Sequence, residues 1–404
     1  MNPRRKKNVL FGISGGIAAY KAPDLLHSWM KLGCEVETIL TEAAEAFVSP
    51  LALSTLSKRR VWRQSDFLSA EYGWKIPHIS LTEWADIFVI APCTANVLRC
   101  AASGDGNSLL SAALLANRRP LLLFPAMNCN MLASDPVRRN IETLRESGAE
   151  VIDPDSGMLA CGYEGKGRLP SIEAINDHVL RALTENKDMT GLHVAVTAGP
   201  THEYIDPVRY ISNPSSGKMG YALARAAWER GAQVTLITGP VSLRRPSGVK
   251  VVEVKSADEM FDACMKAAES ADVIIKAAAV GDYKCAEVAE QKIKRGGASG
   301  MTLELVQNRD IAAELGRRKR PGQLVVGFAA ETERVLENAD KKMREKNLDM
   351  IVSNDVTAEG AGFAVDTNAI SLMRRGADTL RFSGTKDEAA AVILDAVSEL
   401  SHSK

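Results

Sequence analysis

Two glycine-rich turns, each between an apolar strand and an amphipathic helix, lie about half a chain apart in this sequence. The first covers residues 12–19, after the apolar run Val9 to Phe11, and the second covers residues 213–220, ahead of a helix that reaches Arg230. Glycines in such a turn let the backbone approach an anion, and the free amides and dipole at the helix start bind it. The chain is therefore predicted to hold two phosphorylated ligands in two α/β modules.

Length and composition agree with two globular domains. The 404 residues are too many for one ordinary core, and the 50 basic and 50 acidic side chains cancel. No apolar run approaches the roughly 18 to 20 residues of a membrane span, and the basic start lacks the apolar stretch of a signal peptide. Seven scattered cysteines without a Cys-x-x-Cys pair suit a reducing compartment. We expect a cytoplasmic protein with no nucleic-acid or membrane partner.

Short apolar runs alternate with helical stretches in both halves, which predicts doubly wound parallel sheets. A polar segment, Thr184 to Gly191, separates the helix Ile172 to Leu183 from a new strand that begins at Leu192. The predicted domains are residues 1–188 and 189–404. The predicted fold class is α/β, with two three-layer domains.

Several polar residues of the first half follow predicted strands or stand next to them. His78 precedes a strand that ends in Pro92 to Asn96, the loop Pro125 to Asn128 follows another strand, and Ala160-Cys161-Gly162 lies in a later loop. Each has an ordinary explanation when taken alone. A lone histidine is more often structural, an Asn in a loop often caps a helix, and a free Cys is usually a small buried hydrophobe.

Taken in order, and together with Ser14 to Lys21, these segments resemble flavin-dependent cysteine decarboxylases, specifically the N-terminal half of bifunctional coenzyme A biosynthesis proteins. The resemblance implies a flavodoxin-like or Rossmann-like domain that binds FMN. It also implies decarboxylation of 4'-phosphopantothenoylcysteine to 4'-phosphopantetheine, in which the flavin first oxidises the cysteinyl thiol and finally returns a hydride.

The same resemblance assigns roles to individual residues. It places the FMN phosphate at Ser14, Gly15, Gly16 and Thr41, and the ring system near Thr94 and Asn96. His78 becomes the base-like or orienting group of the oxidative step, Asn128 binds the substrate carboxylate, and Cys161 donates a proton in the reduction. Two positions depart from the family pattern, since Ser108 replaces an acidic residue and Cys93 replaces an alanine.

In the second half, a long polar loop, residues 199–213, leads to the second glycine turn. Ser215 to Lys218 look like the end of a P-loop, but the first Gly and the final hydroxyl are missing, which disfavours an ATPase. The basic run Lys292 to Arg295 is, alone, typical of a solvated surface. Lys342 and Lys346 stand at i, i+4 and repel each other unless an anion lies between them.

Residues 190–400 resemble phosphopantothenate–cysteine ligases. The resemblance implies that the carboxylate of 4'-phosphopantothenate attacks CTP to give an acyl cytidylate, from which L-cysteine displaces CMP, with Mg2+ or Mn2+ as the cation. Asn213 would contact the acyl intermediate, Lys292 would stabilise the transferring phosphoryl group, and Asp282 would bind the nucleotide. The rest of the implied CTP pocket is Ala278, Asn308, Arg309, Asp310, Ile311, Phe328, Lys342 and Lys346. Arg309 and Arg295 depart from the usual proline and lysine, and no residues are predicted to ligate the cation.

Two alternatives were weighed against this interpretation. A nicotinamide oxidoreductase is disfavoured because neither turn reads G-x-G-x-x-G with an acidic residue about 20 positions later. A flavoprotein-fold regulatory subunit is disfavoured by the presence of His78, Asn128 and Cys161 and by the ligase half. The resemblance also implies a homo-oligomer, with twelve subunits built from flavodomain trimers joined by ligase dimers.

Overall fold

The computed structural model describes residues 6–160, 162–294, 300–331, 335–355 and 367–402. The chain divides into two compact units, residues 1–185 and residues 186–404.

The first unit contains a parallel sheet, a small hairpin and helices on both faces of the sheet. Its strands are β1 Asn8–Ile13, β2 Glu35–Leu40, β3 Val61–Arg63, β4 Ile87–Cys93, β5 Leu121–Pro125, β6 Glu150–Val151, β7 Asp155–Met158 and β8 Glu164–Arg168. Its helices are α1 Ala22–Lys31, α2 Pro50–Ser57, α3 Pro77–Trp84, α4 Ala95–Ser103, α5 Leu109–Ala116, α6 Cys129–Ala133, α7 Asp135–Glu146 and α8 Ile172–Leu183.

Strands β1 to β6 form one parallel sheet in the order β3-β2-β1-β4-β5-β6, and β7 pairs with β8 in an antiparallel hairpin. The strand β1 is buried along its whole length. Its alternate side chains enter two cores, Val9 and Phe11 on the face covered by α1 and α8, and Leu10 on the face covered by α3, α4, α5 and α7. Burial on both faces explains why the strands are continuous apolar runs.

The second unit repeats this arrangement with a larger sheet. Its strands are β9 His193–Ala198, β10 His202–Tyr204, β11 Tyr210–Ser212, β12 Gln233–Thr238, β13 Lys250–Glu253, β14 Val273–Lys276, β15 Tyr283–Cys285, β16 Leu305–Gln307, β17 Leu324–Glu331, β18 Met350–Asp355, β19 Thr367–Arg374 and β20 Leu380–Thr385. Its helices are α9 Lys218–Glu229, α10 Ala257–Ala268, α11 Ile311–Arg318, α12 Val335–Glu345 and α13 Lys386–His402.

The eight-stranded sheet has the order β13-β12-β9-β14-β17-β18-β19-β20, with the last two strands antiparallel. Helices α9 and α13 cover one face, and α10, α11 and α12 cover the other. Two antiparallel ribbons, β10-β11 and β15-β16, stand outside the sheet. The predicted class, two three-layer α/β domains, is confirmed.

Some elements differ from the predictions. The sequence pattern predicts a helix from Ile17 to Lys31, whereas the chain forms a 3-10 turn at Ile17–Lys21 and α1 starts only at Ala22. Pro23 lies in the first turn of α1, where a missing N–H costs nothing. The pattern also predicts a helix from Thr332 to Lys346; its start lies outside the described residues, which show α12 from Val335 to Glu345. In the described parts of the chain, no helix has the length and apolarity to cross a membrane.

Candidate active sites

Both sheets reverse their strand order at one point, between β1 and β4 in the first unit and between β9 and β14 in the second. Ligands of open parallel sheets bind beyond the carboxyl ends of the strands at such a reversal. A cleft opens at each of these positions, and both predicted glycine turns lie there.

In the first unit, Ser14 ties the two central strands together where they diverge. Its hydroxyl donates to the Pro92 carbonyl oxygen at 2.8 Å and accepts from the Thr94 amide at 2.9 Å. Ser14 is 1% exposed, so both groups depend on it for their hydrogen bonds. This residue fixes the position of Thr94, which occupies the N-cap position of α4.

The first cleft has a volume of about 780 Å3. It collects residues that follow four different strands, β1, β2, β4 and β5. The predicted residues that line it are Ser14, Gly15, Gly16, Thr41, Thr94, Asn96 and Asn128.

Gly15 and Thr41 show how the cradle of this cleft is built. A Cβ on Gly15 would lie 2.4 Å from the Cβ of Ala43, so only glycine lets the first turn pack against the turn after β2. Thr41 accepts a hydrogen bond from the Ala44 amide at 3.3 Å and so caps that second turn. Its hydroxyl proton is then available to a ligand oxygen.

The β7-β8 hairpin forms another wall. The Met127 amide donates to the Gly167 carbonyl at 3.0 Å, and a Cβ on Gly167 would lie 2.1 Å from the Met127 oxygen, so the hairpin packs on the loop that holds Asn128. Met158, Leu159 and Ala160 from the hairpin tip line the cleft. Cys161, the predicted proton donor, follows directly in the chain but lies outside the described residues.

His78 is not among the described residues that line the first cleft. It lies in the first turn of α3, with its ring edge-on to Phe67 at a centroid distance of 5.5 Å. Its Nδ1 is buried and has no hydrogen-bond partner among the described residues. The structure therefore separates His78 from the cleft of its own chain.

Two cations in the first cleft had no predicted role. Lys21 and Arg168 line it, and none of the described lining residues is acidic. Burial, followed by the neighbouring Arg168 guanidinium, lowers the pKa of Lys21. Adjacent cations at one wall favour an anionic ligand. Lys21 belongs to the segment Ser14 to Lys21 that carries the family resemblance, so this part of the signal was present in the sequence.

The second cleft has a volume of about 430 Å3. Six of the predicted residues line it, namely Asn213, Ala278, Asp282, Phe328, Lys342 and Lys346. Threonines at the end of β9 and just beyond it support this wall, since the Ala278 amide donates to Thr197 Oγ1 at 3.1 Å and the Gly281 amide donates to Thr201 Oγ1 at 2.9 Å. Asn213 donates through Nδ2 to the carbonyls of Ala279 and Val280, both at 3.2 Å, which fixes its amide at the cleft.

The segment from Asn308 to Ile311 stands behind this wall and is not part of the described lining. Asn308 donates to the Gly281 carbonyl at 2.9 Å, and Asp310 caps α11 and pairs with Lys346 at 2.7 Å. Ile311 is a core residue. The Arg309 guanidinium stacks on Phe261 and pairs with Asp258 and Asp262 at 3.0 Å. Arg309 therefore contacts α10 and does not add its charge to the cleft.

Lys292 is exposed and also outside the described lining of the cleft. Its segment is held by Asp206, which is fully buried and accepts from the Ile293 amide at 3.1 Å. Arg209 bridges the two, because its guanidinium bonds to Asp206 and donates to the Ile293 carbonyl at 2.9 Å. Hydrogen bonds from Arg209 hold the pKa of Asp206 well below its ordinary range.

Three further lysines line the second cleft without a predicted role, Lys218, Lys276 and Lys386. Lys276 ends the buried strand β14, and burial together with Lys346 lowers its pKa. Five lysines thus face the cleft with Asp282 as the acidic residue of the described lining, which favours a strongly anionic ligand. No group of three or more His, Cys, Asp or Glu suited to a metal occurs in the described ranges.

Fold and clefts define a protein of two α/β units, each with a ligand site at its strand-order reversal. The Flavoprotein family matches residues 2–184, and the DNA/pantothenate metabolism flavoprotein C-terminal domain family matches residues 189–400.

Relatives extend this match to the whole chain. The coenzyme A biosynthesis bifunctional protein CoaBC of Bacillus subtilis is 45% identical over 91% of this chain and 90% of its own. That of Haemophilus influenzae is 42% identical over 97% of each chain. A crystal structure of the C-terminal domain of such a protein is 39% identical, with a TM-score of 0.47, over 54% of this chain and 100% of its own. The chain belongs to the family of bifunctional coenzyme A biosynthesis proteins, which confirms the resemblance in both halves.

Proposed function

We propose that residues 189–404 ligate 4'-phosphopantothenate with L-cysteine at the expense of CTP, and that residues 1–188 decarboxylate the product to 4'-phosphopantetheine with bound FMN. The observation that carries this proposal is the pair of clefts. Each gathers predicted residues from distant segments at a strand-order reversal of its own unit. The family membership supplies the reaction class.

The first cleft fits FMN in size, shape and charge. Its volume of about 780 Å3 is in the range of cofactor sites, and the described lining is cationic at Lys21 and Arg168. The cradle formed by Gly15, Gly16 and Thr41 suits the phosphate, while Met127, Met131 and Leu159 offer apolar surface to a flat ring. When bound, FMN would supply the oxidation of the cysteinyl thiol and the return of a hydride after CO2 has left.

In the decarboxylation, the residues of the chain would bind and orient the substrate and supply a proton to it. Asn128 accepts from the Asn130 amide at 2.8 Å, which holds its side chain at the cleft, where it would bind the substrate carboxylate. Cys161 would supply the proton, because a thiol with an ordinary pKa of about 8.5 stays largely protonated at neutral pH.

We assign His78 to the cleft of a neighbouring copy. The separation of His78 from its own cleft supports this, as do the exposed apolar side chains of Leu68, Trp74 and Ile76 just before α3. Several large apolar side chains exposed in one segment are typical of a protein interface. The proposed assembly is a dodecamer of flavodomain trimers joined by ligase dimers, and light scattering of the purified protein would test it.

In the ligase, the carboxylate of 4'-phosphopantothenate would attack the α-phosphate of CTP and release pyrophosphate. The cysteine amine would then displace CMP. Both steps place negative charge on oxygens, which Lys276, Lys342 and Lys346 can offset. Lys292 would act from the segment that Asp206 anchors, and Asn213 would contact the acyl group. Mg2+ or Mn2+ would neutralise the phosphates, and the oxygen donors of the cleft suit such a cation.

A single-pot assay tests the proposal. Purified protein is mixed with 4'-phosphopantothenate, L-cysteine, Mg2+ and either CTP or ATP, and pyrophosphate and CO2 are followed together. CTP-dependent release of both is the expected result. Pyrophosphate without CO2 would reduce the first unit to a flavin binder or regulator. Release of neither would overturn the ligase function, and CO2 release from supplied 4'-phosphopantothenoylcysteine would then test the decarboxylase by itself.

A further inference from the structure

We propose that Asn354, Asn368 and Lys386 form the metal–phosphate end of the second cleft. In this assignment, the amide oxygens of Asn354 and Asn368 face the divalent cation bound to the nucleoside triphosphate. Lys386 binds a phosphate oxygen. The inference rests on the proposed CTP-dependent ligase function, which assigns no role to these three residues.

All three residues line the second cleft, and the sheet register brings the two asparagines together. In the antiparallel pair β18-β19, Asn354 stands opposite Ile370. Asn368 is two residues from Ile370 and so points to the same face as Asn354. Such diagonal neighbours have Cβ atoms about 7–8 Å apart or closer. Both side chains therefore approach the same volume, on the face covered by α9 and α13.

The amide oxygens of both asparagines are buried and have no hydrogen-bond partner among the described residues. Asn368 is 4% exposed, and its Nδ2 contacts the Met219 sulfur at 3.6 Å, which leaves Oδ1 on the other side of the amide. Buried polar atoms are nearly always paired in folded proteins. Two orphaned acceptors on one cleft wall therefore indicate a ligand with positive charge or donor hydrogens.

The surrounding charge indicates that this ligand also carries anions. Lys386 is 7% exposed and is the first residue of α13, and Lys218 is the first residue of α9. A cation at a helix N-terminus is unfavourable, since that end of the helix is itself positive. Both lysines line the cleft, so an anion that lies between the two helix ends compensates for their placement.

A divalent cation bound to phosphates satisfies both observations. Bare phosphate oxygens would repel the two amide oxygens. Mg2+ accepts oxygen ligands at about 2.0–2.1 Å and keeps several waters beside the substrate phosphates, so it needs few ligands from the protein. The spacing of the asparagines lets one ion contact both oxygens, directly or through one water. It also accounts for a cation site without a carboxylate cluster in the described part of the unit.

Asn368→Asp and Asn354→Asp test the assignment with Mn2+ as the probe. Titration of the full-length protein with Mn2+ in the presence of CTP, followed by electron paramagnetic resonance of free Mn2+, measures metal affinity. We expect each carboxylate to tighten Mn2+ binding by about 3- to 10-fold and Asn368→Leu to weaken it by about 10-fold. Lys386→Met should weaken CTP binding by at least about 10-fold with little change in Mn2+ binding to the protein–CTP complex.

Gln233→Glu is the matched control, because it adds the same charge at the exposed start of β12, which is four strands from β18 in the sheet. If the amide nitrogens instead faced the phosphates, both Asp variants would weaken CTP binding and leave Mn2+ affinity unchanged or lower, and the assignment would be overturned. The melting transition of residues 189–404 in scanning calorimetry checks that each variant folds. Wild-type protein without CTP-dependent pyrophosphate release would overturn the ligase function itself, which separates the two failures.

Discussion

At the scale of single residues, the side-chain amide of Asn128 has two roles. One is structural, the capping of α6, and the other is the proposed binding of the substrate carboxylate. Its oxygen caps α6 by accepting from the Asn130 amide, and an aspartate would keep that acceptor. Asn128→Asp should therefore fold and bind flavin but repel the substrate carboxylate. We expect CO2 release to fall by about 100-fold, or about 2.7 kcal/mol of transition-state stabilisation.

The measurement is CO2 release from supplied 4'-phosphopantothenoylcysteine, with flavin absorbance as the check on the cofactor. Asn130→Asp is the matched control, since it adds the same charge two residues away at an exposed position outside the described lining of the cleft. A rate near that of the wild type for Asn128→Asp would remove this residue from the substrate site.

Lys276 illustrates a cost in stability that serves ligand binding. Burial and Lys346 lower its pKa from the ordinary value of 10.5, so the folded state binds fewer protons than the unfolded state between the lowered pKa and 10.5. The free energy of unfolding of the wild type therefore rises with pH in that window, and the full cost of the buried charge is present below it.

Lys276→Met should accordingly melt at a higher temperature than the wild type at pH 7, and the difference should shrink toward pH 10. CTP binding should weaken by at least about 10-fold, since a cation that faces phosphate is lost. Thermal denaturation at the two pH values and a CTP titration check both effects. Lys250→Met, at an exposed site, should show neither effect. A destabilised Lys276→Met at pH 7 would contradict the argument.

At the scale of elements, the buried parallel strands were predictable and the small hairpins were not. Strands such as β4 are apolar throughout because both faces are covered, and this produces a clear pattern. The β7-β8 hairpin has strands of Asp155–Met158 and Glu164–Arg168, in which glycines and charges hide any alternation. Its position depends on contacts with the loop around Met127, which lies about 30 residues earlier in the chain.

The same limit applies to the sites. Residues that follow a strand directly, such as Thr94 and Ala278, line the clefts as their position on the sheet edge predicts. Lys276 and Lys386 were missed because a single lysine at the end of a strand or the start of a helix looks like any surface lysine in the sequence. Only the tertiary packing places Lys276 half-buried and Lys386 buried beside a cleft.

The segment that carries Lys292 depends on one buried carboxylate. Asp206 accepts from the Val208, Arg209 and Ile293 amides and from the Arg209 side chain. Asp206→Asn removes the negative charge that pairs with Arg209, and it replaces one hydrogen-bond acceptor with a donor. The segment that carries Lys292 should therefore be held less firmly. We expect the kcat for pyrophosphate release to fall by about 10- to 100-fold, because misplacement by about 1 Å is sufficient for such a loss.

The KM for CTP should change less than kcat, because Asp206 is not among the described lining residues of the second cleft. Release of CO2 from supplied 4'-phosphopantothenoylcysteine should be unaffected. Asp378→Asn, at an exposed loop of the same unit, serves as the control. A selective rise in KM with unchanged kcat would show that Asp206 does not position Lys292.

At the scale of the whole molecule, the parallel strands of the two sheets follow the same order. Each sheet nevertheless has its own cleft, and each cleft is lined by residues of one unit. A ligand that binds the folded state stabilises what it binds, by about 2.7 kcal/mol at a concentration of 100 Kd. For a unit of about 200 residues this raises Tm by about 5–10 °C. FMN should therefore raise only the melting transition of residues 1–188, and CTP with Mg2+ only that of residues 189–404.

Scanning calorimetry measures these melting transitions, and two glycine variants make the test more specific. Gly15→Ala places a Cβ 2.4 Å from Ala43 and should abolish the shift caused by FMN, while the shift caused by CTP is kept. Gly106→Ala is the control in the same unit, because Gly106 is outside the described lining of the first cleft and its Cβ would meet nothing closer than Leu115 Cδ2 at 3.9 Å. Scanning calorimetry of the full chain with each ligand separately gives the result. If either ligand shifted both transitions equally, the two halves would be one cooperative unit, and the proposed division at residue 188 would fail.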